Sequence, residues 1–208
     1  RLRPPKKVVE EIELLVSKYG VTHFTFSDTV FNLPQWHAVE ICEEITRRKI
    51  PVKWAAYFSL KEIDKDFIVL AQRSGCYSFS FSPDGYSNKS LKILRKETCK
   101  RDIKNVYKAV KKLQGAKFDF SFFINPPGQN YWSFIALMGL LLRTNILSFK
   151  KNVHITLNIP RLEPHTALLE IAIKEGTIGS ELELLPHDGD DKHTVFYHNP
   201  NIKLIERL

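Results

Sequence analysis

The stretch "SFSFSPDGYSNKSLKILRK", residues 78–96, runs from a strand pattern through a turn into a helix pattern. Ser and Phe alternate up to Ser82, and this period-two alternation predicts a strand with one buried face. Pro83 and Gly85 favour a sharp turn, and they flank Asp84. A helical pattern starts within three residues of that turn. The stretch therefore predicts a βα unit that presents a carboxylate where its strand ends.

The same unit recurs along the chain in both directions. Five strand patterns alternate with helical patterns, and this order predicts an α/β fold with a mainly parallel sheet. The unit length of roughly 25 to 40 residues favours a repeated (β/α) barrel. The predicted strands are 21–27, 52–59, 77–82, 117–125 and 153–161, and the predicted helices are 6–20, 34–48, 64–75, 88–96, 100–115, 130–144 and 166–176.

The two ends of this pattern set the expected domain limits. The alternation opens with a helix, so we expect a partial barrel whose first strand is missing, as in a piece of a larger protein. Beyond about residue 180 the chain becomes polar, which predicts an irregular C-terminal tail. We therefore expect a partial barrel over 1–178 and a C-terminal extension packed on it over 179–208.

Composition restricts the function classes only moderately. The 208 residues include 31 basic and 23 acidic side chains, and the net charge of +8 permits a polyanionic partner without requiring one. Three cysteines, far apart and without metal-ligand spacing, argue against a disulfide framework and favour a reducing, cytoplasmic location. The longest apolar run, "FIALMGLLL" at 134–142, is too short to span a membrane and predicts a buried helix. No membrane partner is therefore expected.

Polar residues follow every predicted strand. In parallel α/β folds, ligands bind at the carboxyl ends of the strands, so these residues are expected to lie on one rim. A single polar residue in a loop indicates little, because loops are usually polar. Polar residues after all five strands together are a stronger indication of a binding site. The strand-end residues are Ser27, Asp28, Thr29 and Asn32, then Tyr57 and Ser59, then Ser80, Ser82 and Asp84, then Asn125 and Gly128, and last Arg161, Glu163 and His165.

The stretch "FSPDGYSNKSLKILRKET" resembles the fourth-strand segment of radical SAM enzymes, which commonly reads Phe-Gly-Ile-Glu-Ser-Gly-Ser before a Leu, a basic pair and a Thr. Asp84 falls on the family's Glu, Ser87 on its second Ser, and Lys96 on the basic turn. Ser-Pro-Asp in place of Gly-Ile-Glu looks most like the cobalamin-binding members. Four other segments resemble family motifs in the correct order: "RLRPPKKVVEEIELLVSKYGV", "FTFSDTVFN", "SFFINPPGQN" and "RLEPHTALLEIAIKEG".

The resemblance implies an Fe-S oxidoreductase with a partial (β/α)6 barrel, S-adenosylmethionine (SAM) and a [4Fe–4S] cluster, and it leaves cobalamin open as a further cofactor. The family holds its cluster with Cys-x3-Cys-x2-Cys, and this chain has no such motif. We therefore expect the intact parent to cleave SAM reductively and the fragment to be inactive, with no catalytic residue and no metal ligand of its own. The residues expected to contact cofactor are Ser27, Asp28, Tyr57, Ser59, Ser82, Asp84, Lys96, Asn125 and Arg161.

Three alternatives compete with a radical SAM enzyme. Lysines between 100 and 112 line one face of a predicted helix and could bind RNA, although an ordinary solvated face gives the same pattern. "HDGDDKH" at 187–193 could bind a metal ion in a hydrolase, but it lacks EF-hand spacing and is more typical of a polar loop. A non-catalytic scaffold is the third. The substrate is not predicted.

The first predicted strand, "VTHFTFS" at 21–27, carries no lysine or proline to protect an open edge. If the strand before it is missing, this edge needs a partner. We therefore expect a homo-oligomer that pairs the edge with a second copy, or a tail after residue 180 that covers it.

Overall fold

The computed structural model describes residues 2–147, 152–184 and 195–202. Helices and strands alternate as the sequence predicts. The strands are β1 (His23–Thr25), β2 (Lys53–Phe58), β3 (Cys76–Asp84), β4 (Lys117–Phe123) and β5 (Val153–Asn158). The helices are α1 (Pro5–Tyr19), α2 (Gln35–Arg47), α3 (Lys65–Arg73), α4 (Asn88–Ile93), α5 (Lys100–Val110), α6 (Tyr131–Leu141) and α7 (Ala167–Lys174). A π-helical turn (Leu142–Ile146) extends α6, and short 3-10 turns lie at Glu181–Leu184 and Pro200–Ile202.

The strands form one five-stranded sheet in the order β1-β2-β3-β4-β5. β2 pairs with β1 and with β3 in parallel. The backbone bonds from Phe118 N to Asn152 O and from Ile124 N to Asn158 O advance together, as parallel pairing of β4 and β5 requires. The structure thus confirms the predicted α/β fold with a parallel sheet.

One face of each strand from β2 to β5 is apolar and packs into the core. Phenylalanine side chains stack from strand to strand, with ring centroids 4.7 Å apart between Phe58 and Phe79 and 5.0 Å apart between Phe79 and Phe118. Phe81 and Phe120 continue this layer at 4.9 Å. The alternate residues, such as Tyr57 and Ser80, are only partly covered or exposed.

The amino ends of β2 and β3 are closely packed. Gly75 has a φ of 104°, and a Cβ at this position would overlap the carbonyl oxygen of Val52. The indole of Trp54 is fully buried and donates to Ser74 O at 3.0 Å. The chain thus turns tightly from α3 into β3 at Gly75, and any residue with a side chain at this position would prevent the turn.

The described residues form two compact units. The first unit consists of 2–82, 101–120 and 152–154, and the second of 83–100, 121–147, 155–184 and 195–202. In the second unit, Leu162, Leu169, Ala172 and Tyr197 form a small core with Ile178. The predicted division at residue 178 is not tested by these units and stays a prediction.

The structure corrects two sequence-based expectations. The apolar run at 134–142 is not a buried helix: Leu137 is buried, but Ile135 and Leu142 face outward. The first strand is three residues long rather than seven, since its backbone hydrogen bonds to β2 extend only from Thr22 O, which accepts from Lys53 N, to Phe26 N, which donates to Ala55 O. In the described part of the chain, no helix is both long enough and apolar enough to cross a bilayer.

Candidate functional site

Strand β3 ends at Asp84 in an unusual backbone conformation. Asp84 has a φ of 63°, in the left-handed region that non-glycine residues seldom adopt. The residue does not cap the following helix, since Ser87 is the N-cap of α4 and its Oγ accepts a hydrogen bond from Ser90 N at 3.1 Å. The side chain of Asn88 accepts from Lys100 N, the first residue of α5. The helix-capping needs are thus met by other residues, which leaves the Asp84 carboxylate available for another role.

Lys96 forms an ion pair with the Asp84 carboxylate. Arg95, with a φ of 54°, reverses the chain after α4, and Lys96 N then bonds to Leu91 O at 2.9 Å. The Asp84 side chain is only 18% exposed. Burial raises the pKa of Asp84 above its usual value, and the Lys96 ammonium group opposes this rise. The site therefore holds a carboxylate that is costly to bury and has one fixed cation beside it.

Asn125 and the loop after β4 are fastened to the C-terminal segment. Asn125 is buried, and its Nδ2 donates to Tyr197 O at 3.2 Å. Asn199 donates in return to Pro126 O at 2.7 Å and to Gln129 O at 3.2 Å. This exchange of amide hydrogen bonds gives Asn125 a structural partner. Its predicted contact with a cofactor stays a prediction.

Arg161 lies after β5 and is exposed. Its Nε contacts Glu163 Oε1 at 3.1 Å, and its backbone forms an antiparallel bridge with Phe196. The guanidinium group is thus held near the surface by a neighbouring carboxylate, in a pair of the kind that contributes little to stability.

In the first unit, Asn32 organises the end of β2. Its Oδ1 accepts from Ser59 N at 2.7 Å, and its Nδ2 donates to Ser59 O at 3.2 Å. Ser59 Oγ in turn accepts from Lys61 N at 3.0 Å. Ser59 therefore sits in a fixed loop, and Asn32, fully buried, acts as its clamp.

The remaining predicted site residues of the first unit are exposed to solvent. Ser27 and Asp28 follow β1, Tyr57 projects from β2 beside Ser80 of β3, and Ser82 lies near the end of β3. The structure brings together Asp84 with Lys96 and Ser59 with Asn32. Convergence of the full set on one rim stays a prediction.

Two polar residues on the sheet, Asp119 and His154, are not among the site residues predicted from the sequence. Asp119 is partly buried in β4, and His154 is exposed in β5. Both occupy the positions that alternate with the buried Phe118, Phe120 and Val153. The alternation in "KFDFSFF" and "VHITLN" carries the signal that could have found them.

The cysteines do not form a site for an iron–sulfur cluster. Burial raises the pKa of the Cys42 thiol to about 12, and it raises the pKa of Cys76 well above its usual value. Thiols of this kind stay protonated, whereas cluster ligands are thiolates. Cys99 is partly exposed and lies before α5. Among the residues that the structure describes, no three His, Cys, Asp or Glu side chains are grouped as metal ligands.

Comparison with known proteins places this fold among radical SAM enzymes. TsrM of Kitasatospora setae, a radical SAM methyltransferase solved with cobalamin and a [4Fe–4S] cluster, superposes with a TM-score of 0.70 at 20% identity, over 90% of this chain and 37% of that one. The cobalamin-dependent radical enzyme OxsB superposes with a TM-score of 0.64 at 12% identity, over 96% of this chain and 35% of that one. HemN of Escherichia coli, a radical SAM coproporphyrinogen III oxidase, superposes with a TM-score of 0.52 at 10% identity, over 91% of this chain and 51% of that one.

Sequence comparison matches two curated cyclases over about half of this chain. The anaerobic magnesium-protoporphyrin IX monomethyl ester cyclases of Cereibacter sphaeroides and Rubrivivax gelatinosus are 32% and 31% identical over 102 and 100 residues. Each match covers 47% of this chain, but only 17% and 18% of those proteins. No established family profile matches the chain.

These comparisons confirm the predicted partial TIM-type (β/α) barrel of the radical SAM type. The chain resembles a segment of radical SAM enzymes, and the enzymes that it resembles include members of the cobalamin-dependent subgroup. The alternative of an RNA-binding or non-catalytic module is not favoured. Helix α5 buries Ile103, Val106 and Val110 and exposes Lys104 and Lys108, as a solvated surface helix does. The predicted metal loop at 187–193 lies outside the described residues.

Proposed function

We propose that this chain is the part of a radical SAM enzyme barrel that holds the nucleoside of SAM, with Asp84 as the acceptor for the ribose hydroxyl groups. The observation that supports the proposal most is the half-buried Asp84 with a left-handed backbone at the end of β3. Backbone strain and a raised pKa in one residue are both costly, and such residues cluster at ligand sites. The sequence resemblance assigns the same position to the family's ribose-binding Glu.

Lys96 prepares Asp84 for this role. The ammonium group engages Oδ2 of the carboxylate, which favours the ionised form and fixes the rotamer. Oδ1 then serves as the acceptor for the ribose hydroxyls, since an ionised carboxylate offers several acceptor sites. Two hydroxyls on adjacent carbons suit one such group, because charge-assisted bonds of this type are short and strong.

The residues of this chain fit the nucleoside but not the iron–sulfur cluster. The described thiols of Cys42 and Cys76 are buried and protonated, and the sequence has no Cys-x3-Cys-x2-Cys. We therefore propose that the cluster ligands come from another segment of the whole protein. SAM supplies a 5′-deoxyadenosyl radical when it is reductively cleaved in such enzymes. The part of this chain is to bind and orient the nucleoside.

The finer assignments are proposals of the same kind. We propose that Ser27, Asp28, Tyr57, Ser59, Ser82, Asn125 and Arg161 face the cofactor or substrate, on the basis of their position after the strands. Cobalamin is proposed as a second cofactor of the whole protein, supported by the fold shared with TsrM and OxsB; no residue of this chain is assigned to it. Three free cysteines support a reducing, cytoplasmic location.

The experiment is calorimetric titration of the chain with SAM, adenosine and 2′,3′-dideoxyadenosine. Asp84→Asn should weaken SAM and adenosine about tenfold or more, since it removes a charged acceptor worth roughly 1–3 kcal/mol. It should leave the dideoxy nucleoside unaffected, because that ligand has no ribose hydroxyl to donate. Asp66→Asn, the same change at an exposed residue of α3, is the matched control and should leave all three affinities unchanged.

Two results would oppose the proposal. Equal weakening of adenosine and the dideoxy nucleoside by Asp84→Asn would mean that the carboxylate does not contact the ribose. Absence of SAM and adenosine binding in the wild-type chain would remove the proposed nucleoside site from this segment.

A further inference from the structure

Helix α6 and the π-helical turn after it present large apolar side chains to solvent. Trp132 is 80% exposed, Ile135 57% and Ile146 65%. Spacings of three, seven and four residues between Trp132, Ile135, Leu142 and Ile146 place these side chains on one helix face. We call this face the apolar stripe; its members are Tyr131, Trp132, Ile135, Leu142 and Ile146. Large exposed apolar side chains that are grouped on one face, unlike singly scattered ones, call for an explanation.

The apolar stripe is held firmly in place. Asn130 and Ser133 form a reciprocal capping box at the start of α6. At the other end, Asn145 Nδ2 donates to Ile155 O at 2.8 Å, and Asn145 Oδ1 accepts from Ile155 N at 3.0 Å. Leu137, on the opposite side of α6, is fully buried. The exposure of the stripe is therefore a property of a packed helix and not of a frayed one.

Along the sequence, the charged residues that flank α6 have one sign. Between Asp119 and Glu163 the sequence contains no acidic residue. Arg143 lies in the π-helical turn and is exposed. Near the start of α6, the Gly128 backbone packs on α4 at the stem of Lys89, and Lys89 is also exposed. Basic groups thus lie close to both ends of the stripe.

The size of the apolar stripe argues against a second copy of the chain as its occupant. From Tyr131 to Ile146 the helix is about 24 Å long, and a face about 10 Å wide gives roughly 240 Å². A stable protein interface needs about 800 Å² on each partner. A lipid surface has no such requirement, because single amphipathic helices bury their apolar face to a depth of about 5–10 Å among headgroups.

We propose that the apolar stripe docks this protein on a membrane surface that carries anionic headgroups. Trp132 and Tyr131 sit at one end of the stripe as interfacial aromatic anchors, and Lys89 and Arg143 contact the anionic headgroups. The helix lies on the bilayer and does not cross it. This revises the sequence-based expectation of no membrane partner, which rested on the length of the apolar run.

The test is co-sedimentation of the chain with vesicles of phosphatidylcholine alone or with about 30 mol% phosphatidylglycerol. A Trp36→Phe background leaves Trp132 as the exposed tryptophan, and its emission should shift to the blue on anionic vesicles only. Ile135→Glu should weaken vesicle binding at least tenfold, because it places a carboxylate among anionic headgroups. Lys89→Gln should weaken it about fivefold.

The matched control is Leu14→Glu, which adds the same charge at a residue of α1 that is 51% exposed and lies outside the stripe. It should leave binding unchanged, and thermal unfolding should show that both Glu variants are folded. Equal loss with Leu14→Glu, or no binding of the wild type to anionic vesicles, would overturn the proposal. So would light scattering that shows a dimer dissociated by Ile135→Glu, since the stripe would then bind a second copy.

Discussion

The two ends of strand β3 both contain strained backbone, but the strain serves different purposes. At the amino end, Gly75 takes a φ of 104° against the Val52 carbonyl, where no other residue fits. The glycine relieves the strain, and the surrounding groups are buried and satisfied: Cys76 is a protonated thiol, and Trp54 donates to Ser74. At this end of the strand, the residue type in the turn, the burial and the hydrogen bonding all favour stability.

At the carboxyl end of β3, by contrast, the backbone conformation and the burial of a carboxylate both cost stability. Asp84 has a φ of 63° without being glycine, and its carboxylate is buried deeply enough for its pKa to rise. A single cation, Lys96, offsets part of that cost. A sequence optimised for stability alone would place Gly or Asn here. Local rules that are broken at one end of a strand and kept at the other are what a binding role at the broken end would require, and this is why the ribose role is proposed for Asp84.

The largest change in the free energy of unfolding is expected at the amino end of β3. Gly75→Ala should lower the free energy of unfolding by about 3 kcal/mol or more, since it combines a strained φ with a clash against backbone. Chemical denaturation measures the change. Gly20→Ala is the control: φ is 67° there too, but nothing lies within 4 Å of the new Cβ, so the loss should be about 1–2 kcal/mol. Equal losses would show that the contact with Val52 is unimportant.

Trp54→Phe should have the next largest effect. It removes the donor to the Ser74 carbonyl and leaves a gap in the core, and we expect a loss of about 2–3 kcal/mol in the free energy of unfolding. Trp36→Phe, the same change on the exposed face of α2, should cost less than about 0.5 kcal/mol. A Trp54 variant as stable as the Trp36 variant would contradict the view that this end is a structural core.

A second carboxylate sharpens the contrast with Asp84. Glu44 of α2 accepts from Arg47 and Arg48, and these bonds lower its pKa to about 2. Because the pKa is lower in the folded state, the stabilisation is present above about pH 4.5 and is lost as the pH falls towards 2. The difference in Tm between wild type and Glu44→Gln should therefore shrink over this range. In an Arg48→Ala background the difference should be smaller at every pH, and an unchanged difference would exclude Arg48 as a cause.

The order of strands and helices could be predicted from the sequence, because period-two and helical patterns report directly on which side chains are buried. The predicted strands 77–82 and 117–125 agree with β3 (Cys76–Asp84) and β4 (Lys117–Phe123) to within two residues at each end. The orientation of α6 could not be predicted, since a helix that is apolar on all sides has no pattern to show which face is covered. Its exposed Trp132 and Ile146 are visible only in the structure.

The candidate site was predictable only in part. Asp84 stood out because Pro and Gly flank it at a strand end. The family resemblance selected Lys96 as a contact to cofactor, but its ion pair with Asp84 was not predicted. The clamp formed by Asn32 was not identified as such, because an Asn after a strand gives no sign of which backbone groups it will bind. The sequence could not show whether the Asn125 side chain binds a ligand or the protein itself, because its hydrogen bond to Tyr197 joins positions far apart in the chain.

The central claim is that Asp84 is retained for binding at a cost in stability, and thermal unfolding of wild type and Asp84→Asn with and without SAM tests it most directly. The pKa of Asp84 is raised on folding, so its ionised form destabilises the folded state at neutral pH, and this cost disappears below the unfolded pKa. Without SAM, Asp84→Asn should therefore have a slightly higher Tm than wild type at pH 7. SAM should raise the Tm of wild type and leave that of the variant unchanged. A variant that melts at a lower temperature and still responds to SAM would show that Asp84 is a structural residue and would contradict the account.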